Sequence, residues 1–140
     1  MTSGAGSRPQ GITILAILAG IGGVLGILGS LAIIAAGGLV TAVGAAAGAY
    51  GVLGGLIFVY GLLLLAISAA ECAMAYGFWM LKPWAYQFGL YVQYANIGLA
   101  VLGFLLWGQS IVGAVITVAI SGAIIYYLRM PDVKAAFSQK

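Results

Sequence analysis

The chain has 140 residues, 64% of them hydrophobic and 5% charged, with five Lys and Arg against two Asp and Glu and no histidine. A soluble domain carries about a quarter charged residues, so this composition cannot clothe an exterior in water, and a bilayer is the expected solvent. One cysteine and no histidine exclude a disulfide framework, a Cys/His metal centre and a histidine-ligated haem, and cations scattered over three tracts exclude a nucleic-acid partner.

In chain order, residues 1–10 read as a polar tail containing Arg8. No charged side chain then occurs from Gly11 to Ala70. A crossing takes ~20 apolar residues, so this stretch has room for two helices and is too long for one. The apolar run Ile12–Ala36 exceeds the core of a secretory signal, and a retained first helix is expected over about 11–36. Gly37-Gly38 opens a Gly/Ala-rich connection through Gly51, compatible with a loop, a short surface helix or an extension of the first helix. The second helix is expected over about 52–81, long enough to imply tilt or protrusion. Lys82-Pro83 ends it, because proline disfavours helical geometry in the residue before it and suits the first turn of the next helix. The third helix is expected over about 84–107, with a tight turn at Gly108-Gln109-Ser110, and the fourth over about 111–128. Residues 129–140 form a tail in which one turn after Pro131 puts Val133 and Phe137 on one face. Runs such as Leu62–Leu65 do not alternate, which excludes a β-barrel. The predicted class is an all-α polytopic membrane protein with four transmembrane helices in an up-down bundle.

Orientation follows from charge. Arg8, Lys82 and the Arg129, Lys134 and Lys140 group fall on one side of a four-helix layout, and the other two connections are uncharged. The positive-inside rule places both termini in the cytoplasm of a prokaryotic plasma (inner) membrane. Trp79, Trp84, Tyr86, Tyr126 and Tyr127 are expected in the inner aromatic belt and Tyr50 and Trp107 in the outer one. Arg8, Lys82, Trp79, Trp84, Arg129 and Lys134 are thus the predicted cytoplasmic interface anchors.

Small residues at four-residue spacing suggest close helix approach: Gly22 and Gly26 in the first helix, Gly51 and Gly55 in the second, and Gly113, Thr117 and Ser121 in the fourth. Glu71 is the one charged residue expected within the hydrocarbon. It precedes Lys82 by eleven residues, or ~16 Å of helix, against a half-thickness of ~15 Å. Counting both ways from residue 82 levels Glu71 with Gln93 and Ser68 with Asn96. These four residues are the predicted buried polar layer of the second and third helices. It is expected either to fix helix register through hydrogen bonds or to contact a proton or ion. Tyr60, Tyr91 and Tyr94 are expected to turn their hydroxyls toward partners in the bundle, and Cys72 to be an inert buried thiol.

The segments Gly77-Phe78-Trp79-Met80-Leu81-Lys82-Pro83-Trp84-Ala85, Tyr126-Tyr127-Leu128-Arg129-Met130-Pro131-Asp132-Val133-Lys134 and Arg8-Pro9-Gln10-Gly11-Ile12-Thr13 together resemble a group of small four-helix integral membrane proteins of bacteria and archaea. The resemblance implies the fold and no activity, and assigns no functional residue.

Catalysis is not expected, because the sequence offers no nucleophile–base pair, paired carboxylates or metal cluster. The leading expectation is an accessory or structural subunit of a larger membrane complex, respiratory or photosynthetic, contacting membrane lipids and other membrane subunits. The alternatives are a homo-oligomeric channel or small transporter using the layer around Glu71, and a stand-alone lipid-organising protein. No cofactor is evident and no soluble small-molecule substrate is indicated, although the aromatic and glycine content suits flat apolar ligands such as lipid, quinone or pigment.

Overall fold

The computed structural model describes residues 9–47 and 50–138, so the expected Arg8 anchor lies outside the described residues. Five helices follow one another: α1 (Gln10–Ala47), α2 (Gly51–Trp79), α3 (Pro83–Trp107), α4 (Ile111–Leu128) and α5 (Pro131–Ser138). The first four are long and apolar enough to cross a membrane, and no strand occurs among the described residues. The fold is all-helical, of membrane-spanning type.

The connection after Gly37-Gly38 resolves as the third of its alternatives. α1 continues unbroken through both glycines to Ala47. Glycine costs a helix ~1 kcal/mol against alanine, and at Gly37 that cost is offset by the close approach of the Phe58 and Gly54 backbone, which leaves no room for a larger residue. α2 stops at Trp79, two residues earlier than expected. Leu81 adopts the left-handed conformation, φ 51°, and the Lys82 amide donates back to the Gly77 carbonyl at 2.9 Å. This closure is one that glycine more often provides.

The chain divides into two compact units. The first, Ile21–Cys72, is the antiparallel hairpin of most of α1 and α2. Its two helices run close enough that glycine is required at several crossings. A Cβ at Gly37 would lie 2.5 Å from the Phe58 amide nitrogen, and one at Gly54 would collide with the Thr41 backbone. Gly61 lies against Ile34, and Gly23 against Cys72 and the Ser68 carbonyl. Among the described residues, the buried positions of α1 in this unit are Gly23, Ser30, Gly37 and Gly44, and those of α2 are Gly54, Tyr60, Gly61 and Ser68. Apart from Tyr60, both sets recur every seven residues, the period that keeps two helices in continuous contact when they wind left-handedly around each other. The seam's hydroxyls are satisfied within their own helices: Ser30 donates to Ile27, Thr41 to Gly37 and Ser68 to Leu64, at 2.8–2.9 Å.

The second unit comprises residues 1–20 and 73–140. Here α3 and α4 form an antiparallel hairpin through Gly108, whose positive φ of 60° turns the chain so that the Gln109 amide donates to the Gly103 carbonyl at 3.3 Å. The buried core gathers where α3 begins and α4 ends: Ile12, Met74, Phe78, Ala85, Leu128, Val133 and Phe137 are all nearly inaccessible. The tail supplies more than the single turn expected of it. α5 makes two turns and tucks both Val133 and Phe137 inward. The Phe137 ring sits 5.5 Å from Phe78 and 6.0 Å from Tyr86, tilted against each. Tyr127 lies so close over Gly11 that a side chain there would overlap its ring.

Candidate polar and interfacial sites

The four residues of the predicted polar layer divide between the units, Ser68 and Glu71 in one and Gln93 and Asn96 in the other. Ser68 is buried, and a Cβ at Gly26 would meet its hydroxyl. Glu71 is half-buried, with a carboxylate oxygen 3.6 Å from where a Cβ of Gly22 would stand. The missing side chain at Gly22 therefore leaves room for the carboxylate beside α1. Gln93 is 3% exposed and turns its amide to the Met74 sulfur, a weak acceptor, at 3.9 Å. Asn96 is half-buried.

Of the small residues picked out by four-residue spacing, Gly22 and Gly26 face α2, and Gly51 is in ordinary van der Waals range of Ala45. Gly55 and Gly113 have no atom within 4 Å of a would-be Cβ. Thr117 donates to the Gly113 carbonyl at 3.0 Å, and Ser121 is buried. The closest backbone approaches fall instead at Gly37, Gly44 and Gly54, which belong to the sets of seven-residue period. A search for small residues at that spacing would have found them.

The predicted anchors within the described residues are at the surface. Trp79, Trp84, Lys82, Arg129 and Lys134 are exposed, with Trp84 edge-on to Phe88. Among the membrane tyrosines, Tyr60 is buried, whereas Tyr91 and Tyr94 lie on the outer face of α3. Tyr94 accepts a hydrogen bond from the Arg129 guanidinium at 3.4 Å, a pair that the sequence reading did not bring together.

Toward the Gly108 end, α3 and α4 leave an apolar groove of about 360 Å³ lined by Val101, Phe104, Ile111, Val115 and Val118. Its walls suit an acyl chain and offer no polar group to orient a ligand. No protein-family model, curated protein or solved structure matches this chain.

Proposed function

We propose that the chain is a non-catalytic accessory subunit of a larger membrane protein complex, with both termini cytoplasmic and the α1–α2 tip on the opposite side. The length of α1 carries the reading. Its 38 residues include no charge and reach ~57 Å at ~1.5 Å per residue. The hydrocarbon is ~30 Å thick, and a tilt of ~40°, the upper end of the usual range, still leaves ~44 Å along the bilayer normal. An apolar helical tip therefore extends beyond the hydrocarbon. On that tip Val43 and Val52 are 70% and 78% exposed, and Leu39 and Tyr50 are also uncovered. Exposed apolar surface of this kind marks a contact with another molecule. A protein partner covers it at least cost, because protein satisfies the helix without deforming the bilayer.

The test is gentle extraction from native membranes followed by native mass spectrometry. Benzophenone attached at Val43→Cys in a Cys72→Ser background is expected to cross-link to a different polypeptide in stoichiometric yield. Cross-links only between copies of this chain would replace the accessory reading with a homo-oligomer.

The placement of Glu71 beside the open position at Gly22 favours one second reading, an ion- or proton-contacting site in such a homo-oligomer. On that reading Glu71→Gln abolishes proton or ion flux in proteoliposomes. On the accessory reading wild-type and variant vesicles are equally tight.

A further inference from the structure

The α3–α4 hairpin has unequal arms, 25 and 18 residues long. From their shared turn, α4 ends seven residues short of the start of α3, ~10 Å along the axis. At ~27 Å, α4 just fails to cross a ~30 Å hydrocarbon, which puts Arg129 at the hydrocarbon edge and Lys82 ~10 Å further toward water. Counting both ways from Gln109 levels Arg129 with Gly89, and Tyr94 stands five residues deeper, ~7 Å. An arginine near a helix end ordinarily extends its head toward water. Arg129 does the opposite and turns inward to the Tyr94 hydroxyl. Both residues are on the outer surface, Tyr94 being 48% exposed, with Tyr91 one turn away on the same face of α3.

A guanidinium held toward lipid is costly without a counter-charge, and among the described residues its side-chain hydrogen-bond partner is the Tyr94 hydroxyl. We infer that Arg129 and Tyr94 form a binding site for the phosphodiester of an anionic phospholipid, drawn slightly inward from the headgroup layer. The remaining guanidinium N–H groups donate to the phosphate oxygens. Tyr94, accepting from Arg129, has its own O–H left to donate to the same phosphate. The two side chains together fix the headgroup's depth, and an acyl chain then lies along the apolar face of α3. This inference rests on α3 and α4 spanning a bilayer and is independent of the accessory-subunit reading, since it needs no protein partner.

The experiment places the full chain in nanodiscs of mixed phosphatidylglycerol and phosphatidylcholine and counts the lipids retained after mild release by native mass spectrometry. Wild type is expected to keep phosphatidylglycerol preferentially, and Arg129→Gln to lower that retention about fivefold. Tyr94→Phe, which alters no charge, also lowers it, and Lys134→Gln, a basic residue at the same end, lowers it clearly less than Arg129→Gln. Equal losses from Arg129→Gln and Lys134→Gln would overturn the site in favour of diffuse attraction. Displacement of the lipid by millimolar inorganic phosphate would overturn it in favour of a free-anion site. Should Arg129→Gln fail to fold, retention by Tyr94→Phe decides alone: full retention sinks the site, and loss supports it.

Discussion

Gly37→Ala destabilises the folded chain by about 1–3 kcal/mol, whereas Gly38→Ala, one residue on, leaves stability unchanged or raises it by at most ~1 kcal/mol. Both changes add one methyl and both favour helix. The difference lies in what that methyl meets. At Gly37 it would stand 2.5 Å from the Phe58 nitrogen and 3.0 Å from the Gly54 carbonyl oxygen, both backbone atoms with no side-chain freedom to move aside. At Gly38 nothing lies within 4 Å. Gly54→Ala, facing the Thr41 backbone, belongs with Gly37→Ala, and Gly29→Ala, which also faces open space, belongs with Gly38→Ala. Unfolding of the four variants in detergent by denaturant titration separates these pairs. Equal midpoints for Gly37→Ala and Gly38→Ala would mean that the two helices do not meet along this seam.

The second large effect is expected at the opposite end of the sequence. Phe137→Ala frees α5 while leaving the long helices folded. An eight-residue helix has no stability of its own in water, so its position depends on Val133 and on Phe137, which is 2% exposed and packed on Phe78. Truncating a buried phenylalanine costs about 3–5 kcal/mol. At the low end of that range the detached state becomes roughly a hundredfold more populated, and proteolysis follows that population when opening is fast. Trypsin cleavage after Lys134 should therefore accelerate by about the same factor, while the four long helices resist. Phe78→Ala removes the other half of the contact and should act alike. Cleavage at the wild-type rate in Phe137→Ala would show that something other than this ring holds α5.

These two sites also mark how far the sequence could be read. Four spans were legible because charge vanishes between Gly11 and Ala70 and again between Pro83 and Leu128, and α4 ends where its apolar run ends. Val133 and Phe137 were legible as one face because helical spacing is local. Phe78, the ring that Phe137 meets, was not, because nothing in a run of apolar residues says which distant ring lies opposite. Gly37-Gly38 left a loop, a short surface helix and an extension of the first helix open, because propensity alone does not choose among them; the extension occurs, and Gly37 lets α2 come within backbone contact. Leu81 takes a left-handed turn without the glycine that usually announces one. For the polar residues, relative depth was countable from residue 82, whereas the approach of the Gln93 amide to the Met74 sulfur was not, because spacing along one helix does not say which side chain of another lies opposite. The same counting applied at Gln109 sets Tyr94 only five residues from the level of Arg129, within reach of so long a side chain.

The seven-residue period of the α1–α2 hairpin makes its length a quantised property. Gly23, Ser30, Gly37 and Gly44 stand opposite Gly54, Gly61 and Ser68 only while the intervening residue count is kept. Deleting two residues from one arm would swing everything beyond the cut by ~200° and present leucines and valines where backbones now nearly touch. Deleting seven from each arm would leave the remaining small residues opposed and withdraw the tip by ~10 Å. The hairpin is in effect a ruler graduated in ~10 Å divisions, and a chain of this build could adjust the hairpin's length only one whole division at a time.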